Sequence, residues 1–217
     1  MKENMEFERE DLCVDRDIQI DGQNGQQIVA YAYLLHQRGL NRDVVYAFAH
    51  KNMIYESLPH HNAVFVGFDL DGVPRHAHKR GTGSQSTYKG NTEGCVPEYS
   101  FHWNGTSDKI FLFEAPIDML SYISMNPYQW QKNTYAASCS VADRVLFQCL
   151  KDNPNIREVY LCLDNDEAGQ IAAKRISDKL FVQGYKTEIL TPINKDWNED
   201  LIFSQKEGEQ QWTTQLS

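Results

Sequence analysis

Apolar positions along the chain fall into two textures. From Ile28 to Ala49, in IVAYAYLLHQRGLNRDVVYAFA, they recur at helical spacing and predict two short helices. Gly39, Leu40 and Asn41 between them read as a C-cap followed by an N-cap. AVFVGF (63–68) is a β-type run, Asp71-Gly72 a turn, and VPRHAHKRG a returning strand, which makes an antiparallel hairpin. Residues 81–96, rich in Gly, Ser, Thr and Asn, predict a loop. EYSFHW (98–103) predicts a third strand, closed by the turn Asn104-Gly105.

The texture changes near Lys109. IFLFE (110–114) reads as a buried strand, PIDMLSYISM (116–125) as a helix and TYAAS (134–138) as a short strand. VADRVLFQCLKDN (141–153) is amphipathic, with Val141, Val145, Leu146 and Leu150 on one face. REVYLCLD (157–164) is a continuous apolar strand of the kind found in parallel sheets. A long helix (167–184) ended by Gly184, the strand KTEIL (186–190) and a short helix DWNEDLIFSQ (196–205) follow. Strand and helix alternate four times, which predicts α/β architecture: a doubly wound parallel sheet. A smaller α+β domain with helices and the hairpin precedes it. The expected boundaries are a polar lead-in (1–25), the α+β module (26–108), the parallel-sheet domain (109–207) and a polar tail (208–217).

Composition narrows the class. No apolar run approaches the roughly 20 residues of a membrane helix. The charged start MKENMEFERE is unlike a secretory signal, so no membrane and a cytoplasmic location are expected. The five cysteines include no CxxC pair, so neither a disulfide framework nor zinc is expected, and Cys149 and Cys162 read as buried small hydrophobes. The net charge of −9 works against phosphate binding unless cations are locally concentrated.

Ligands of such sheets bind at the carboxyl ends of the strands. Glu114 closes one strand, and Asp164 and Asp166 close another. Asp118, one helical turn beyond Glu114, can face the same cleft. Converging carboxylates repel one another, and a hard cation with oxygen ligands relieves that repulsion. Such a cation polarises phosphoryl oxygens and activates a hydroxyl or water. The plainer alternative is that Asp166 or Asn165 caps the helix at 167–184.

FEAPIDMLS (113–121) resembles the first motif of the Toprim family, a strand-end Glu followed by an Asp-containing helix start. LDNDEAG (163–169) resembles the second, Asp-x-Asp followed by Gly, and NKDWNEDL (194–201) is similar to the Lys-Asp-x-Asn-x-x-Leu segment of Toprim domains in mobile-element proteins. Pro116 departs from the frequent Gly, but proline is well tolerated at a helix start. The resemblance implies metal-dependent making or breaking of phosphodiester bonds. It implies Asp164 and Asp166 as catalytic metal ligands, Glu114 as a catalytic metal ligand or general acid/base, Asp118 as a further ligand, Lys195 as a phosphate contact, and Asp196 and Asn198 as support. Mg²⁺ is the implied cofactor, with Mn²⁺ as a substitute.

The first half resembles the module that precedes Toprim domains in primase-type proteins of plasmids and conjugative elements, through FVGFDLDGVPRHAHKRGT (65–82), Lys89-Gly90 and YSFHW (99–103). Arg75, His76, His78, Lys79 and Arg80, with Lys89 nearby, form the most basic cluster of the chain and a candidate track for nucleic acid or nucleotides. A solvated hairpin face is the alternative. The zinc ribbon that primases carry has no counterpart around Cys13. The leading expectation is primase-like nucleotidyl transfer on DNA or RNA in replication or transfer of a mobile element, with other replication or conjugation proteins as partners. A Toprim nuclease and a non-catalytic nucleic-acid-binding module are the alternatives. A rival motif, Asp69-x-Asp71-Gly72, is similar to that of haloacid-dehalogenase-type phosphatases, with Asp69 as nucleophile and Asp71 as acid/base. The returning strand after it favours a hairpin turn instead.

Overall fold

A computed structural model describes residues 29–139 and 143–215, with side chains up to residue 207. The lead-in 1–25 and Val141 lie outside the described residues. Among those described, the strands form two sheets, antiparallel β1-β2-β3-β4 and mixed β5-β7-β6-β8-β9, so the fold is mixed α/β. No described helix is long and apolar enough to cross a membrane.

The first described element is α1 (Val29–Ala32), which runs on as a π-helical turn, Tyr33–Gln37. Gly39, at φ +64°, turns the backbone. Asn41 then caps α2 (Arg42–Ala49), its side chain accepting from the N–H groups of Asp43 and Val44. This is the cap-to-cap junction that the sequence predicts.

The first sheet holds β1 (Ile54–Ser57), β2 (Asn62–Phe68), β3 (Pro74–Arg80) and β4 (Lys89–Asn91). The expected hairpin is β2–β3. The Asp69 carboxylate accepts from the N–H groups of Asp71 and Val73 and from Arg75 Nε at 2.6 Å. Those bonds commit it to the turn, which disposes of the phosphatase motif. Two expectations need correction. The Gly/Ser-rich stretch 81–96 contains β4, which pairs with β3. EYSFHW opens in a 3₁₀ turn, Pro97–Tyr99, and only its last two residues, β5 (His102–Trp103), are strand. β5 joins the other sheet, antiparallel to β7.

In the second sheet β6 (Lys109–Phe113) lies between β7 (Thr134–Ala137) and β8 (Glu158–Leu161), parallel to both, and β9 (Lys186–Ile189) follows β8. Alternate side chains of β6 serve opposite cores. Phe111 and Phe113 pack with α3 (Pro116–Met125) and with Trp197 and Leu201 of α6 (Trp197–Gln215). Ile110 and Leu112 pack with α4 (Arg144–Asp152) and α5 (Glu167–Val182). Helix on both faces is the doubly wound arrangement. The terminal helix runs well past the predicted 196–205.

The first of these cores also joins the two sheets. Phe48 of α2, with no exposed surface, stacks on Trp130 at 5.3 Å between centroids and meets Phe101 and Trp103 at 5.2 and 5.1 Å. Removing such a buried ring costs about 3–5 kcal/mol, so the seam is firm. That rigidity fixes the first sheet over the carboxyl ends of the second.

Candidate metal and nucleic-acid cleft

β6 and β8 are parallel neighbours in the register Leu112↔Leu161. Glu114 and Asp164 therefore leave the sheet side by side, where the strand order changes direction. The close fit is completed by Gly169, in the first turn of α5. A Cβ there would lie 2.2 Å from the Asp164 carbonyl oxygen and 3.1 Å from Glu114 Oε1.

Glu114 Oε1 and Asp164 Oδ1 are buried and have no hydrogen-bond partner. Leaving charged oxygens so is costly, and their proton affinities show it. Burial, with help from Glu114, Asp196 and Asp166, pushes the Asp164 carboxyl up to about 7, against the pull of Lys195. Burial and then Asp166 raise Glu114, while the Asp164 N–H and Lys89 lower it. Asp118, buried in the first turn of α3, lies well above the usual carboxylate range because of burial and then Asp196, Asp164 and Glu114. The orphan oxygens and the crowded charge fit a hard cation, with Glu114 and Asp164 as its first donors. Among the described residues, no three His, Cys, Asp or Glu side chains already stand as a metal-holding group.

Asp166 takes a different place. It is exposed, and its Oδ1 accepts from the Gly169 N–H at 2.8 Å as the cap of α5. Both readings of Asp-x-Asp thus have a residue: Asp164 faces the cleft and Asp166 caps the helix. Asp196 similarly accepts from the Glu199 N–H at the start of α6, yet it also lines the cleft.

The cleft, of about 530 Å³, lies between the sheets. Glu114, Asp118, Asp164 and Asp196 line one wall with Lys195 and Asn198. His78, Arg80, Lys89 and Asn91 of β3 and β4 line the other. Strand alternation divides the basic cluster. His76, His78 and Arg80 pair with Gly67, Phe65 and Ala63 of β2, and Phe65 and Ala63 belong to the core that joins the sheets. Arg75 and Lys79 fall on the opposite face and do not line the cleft, and Arg75 is ion-paired with Asp69. His76 is buried, and burial lowers its pKa to about 4, so it stays neutral near pH 7. One cleft residue has no motif to announce it. Arg38, just before Gly39, reaches the same space. Only its position beside a helix end hints at it in the sequence.

The raised carboxyl of Asp164 gives a pH prediction. Its stabilising contribution is full below its ordinary pKa of 3.8 and is lost as pH rises to about 7. In chelator, the melting temperature of Asp164→Asn minus that of the natural chain should therefore grow from near zero at pH 4 to a plateau above pH 7. A flat difference across that range, measured by thermal melts, would contradict the burial.

Comparison with known proteins bears on the family and the fold. Residues 32–107 match the family described as "Protein of unknown function (DUF3991)", and residues 111–201 match the family described as "Toprim-like". No curated protein matches the chain. Among solved structures, the primase fragment of the bacteriophage T7 primase-helicase protein is similar at 18% identity and a TM-score of 0.59, over 77% of this chain and 68% of that one. A DnaG primase catalytic domain bound to single-stranded DNA gives 14% and 0.58, over 89% and 73%. The E. coli primase catalytic core gives 15% and 0.58, over 83% and 70%. At such identities the likeness shows the fold. The chain is thus a DUF3991 module followed by a Toprim-like domain, with a fold distantly similar to primase catalytic cores.

Proposed function

We propose that the chain is a Mg²⁺-dependent Toprim enzyme that joins nucleotides on a nucleic-acid template, in replication or transfer of a mobile element. The observation that carries this reading is the pair of buried, unpartnered oxygens on Glu114 and Asp164, in a cleft whose other wall is basic. Glu114 and Asp164 would hold the metal, with Asp118 and Asp166 beside them. When bound, the metal supplies polarisation of a phosphoryl oxygen and a lowered pKa for the attacking hydroxyl. The chain's own residues do the rest. Lys89, Arg80 and Lys195 draw phosphates in, and the two sheets limit access of bulk water.

Joining is favoured over hydrolysis by the extent of the structural likeness. It spans 77–89% of this chain, more than the Toprim-like stretch 111–201 alone, so it takes in the first sheet as well. One relative of that kind is described as primase domains bound to an RNA/DNA hybrid and dTTP. Incubation with Mg²⁺, labelled nucleotides and single-stranded DNA tests the proposal. Extended products are expected. Shortened strands would replace it with a nuclease, and retained binding without either product with a binding module.

A further inference from the structure

We infer that Arg38 contacts a phosphate of the guest in this cleft, and that Tyr33 and Asn198 are positioning residues that aim its guanidinium. Arg38 Nε donates to the Tyr33 hydroxyl at 2.7 Å, and Nη1 donates to Asn198 Oδ1 at 3.1 Å. Its guanidinium carbon lies 5.1 Å from the Tyr33 ring centroid. Asn198 also grips the backbone of the same residue, its Nδ2 donating to the Arg38 carbonyl at 2.8 Å and to Ser121 Oγ at 2.9 Å. Asn198 is 3% exposed, so this grip is shielded from water. Arg80 Nε donates to the same hydroxyl at 3.4 Å.

Two guanidiniums are thus steered into one cleft by neutral partners. Among the described residues, no carboxylate ion-pairs with either. Four carboxylates line the same cleft, yet the arginines are not spent on them. A guanidinium keeps a planar fork of donors that suits phosphate oxygens, and Arg38 retains donors beyond the two its neighbours occupy. Held cations without anions, in a cleft of this size, call for an anionic guest. The inference rests on the reading that the cleft takes nucleic-acid or nucleotide phosphate. It does not depend on any turnover.

The rival is a purely structural bolt between α6 and the first helical segment, and salt dependence separates the two. Binding of a fluorescein-labelled oligothymidylate is measured in Mg²⁺ over a range of salt, with inorganic triphosphate as competitor. Arg38→Ala should weaken binding about tenfold and reduce the log–log salt slope by about 0.7, the value for one phosphate contact on a single strand. Arg38→Lys should restore the slope while recovering only part of the affinity. Asn198→Asp sets a carboxylate on the guanidinium and should lose the slope as Arg38→Ala does. Loss of triphosphate competition in Arg38→Ala would place a nucleotide's polyphosphate at Arg38, and unchanged competition a strand phosphate. Natural affinity and slope in both Arg38→Ala and Asn198→Asp, with only a lower melting temperature, would overturn the inference, as would a chain that binds neither probe. A chain that binds as predicted but neither extends nor cuts strands would sink the proposed enzyme and leave this contact standing.

Discussion

Asp164→Asn is expected to abolish strand chemistry while making the metal-free protein harder to melt. The loss should be about 4 kcal/mol of transition-state stabilisation, roughly a thousandfold in rate. The gain follows from the same position. Asp164 is half-buried beside Glu114, Asp166 and Asp196, and its carboxyl is held up to about 7. A neutral amide removes that repulsion and can donate to the orphan Glu114 Oε1. After allowance for its partial exposure, the gain should be about 1–2 kcal/mol at pH 8 in chelator, roughly 3–6 °C for a chain of this size. Activity by primer extension and stability by thermal melts should thus move in opposite directions. A variant that lost both would point to a structural aspartate and not to a metal ligand.

Gly169→Ala is the second large effect, and it acts through space alone. Alanine is the better helix former by about 1 kcal/mol, so α5 taken alone would favour the change. The added Cβ would lie 2.2 Å from the Asp164 carbonyl oxygen, and backbone cannot swing aside as a side chain can. Overpacking of this kind costs about 1–3 kcal/mol. The net expectation is a loss of about 1 kcal/mol of stability. The activity cost should be far larger. Relief must come from moving the Asp164–Gly169 turn, and a shift near 1 Å at a catalytic group costs about a hundredfold. Gly169→Ala should therefore melt only slightly lower than the natural chain and lose about 99% of its rate. Full activity in this variant would mean that Asp164 is not held where the reaction needs it.

These effects also mark what a sequence makes legible. The parallel sheet was readable because its strands are continuous apolar runs and its helices alternate with them, α5 opening on the Asp166 cap. IFLFE and REVYLCLD both became strands, and both acidic ends fell at the cleft mouth. The first sheet was only half readable. β4 is Lys-Gly-Asn, with no apolar signal, and exists because β3 offers it an edge. β5 is two residues long and takes its identity from β7 across the seam. The basic cluster misled in a different way. Arg75, His76, His78, Lys79 and Arg80 are adjacent in sequence, but a strand sends neighbours to opposite faces. The cleft receives His78 and Arg80, while Arg75 and Lys79 face away. Arg38 was invisible for the converse reason. Asn198 reaches it across 160 positions of sequence, and no local pattern encodes that contact.

The negative net charge of the chain, −9, takes on a local meaning in this geometry. Much of the negative charge that matters sits on one wall of the cleft and waits for a cation, and the opposite wall supplies the positive field for phosphate. A strand should enter well only when metal has offset the carboxylates.

The proposed chemistry requires Glu114 and Asp164 to share a divalent ion. The direct measurement is anomalous scattering from crystals soaked in Mn²⁺, compared between the natural chain and Asp164→Asn. The prediction is a manganese peak between the Glu114 and Asp164 carboxylates that is lost in the variant. A peak elsewhere, or one at that place that survives Asp164→Asn undiminished, would contradict it.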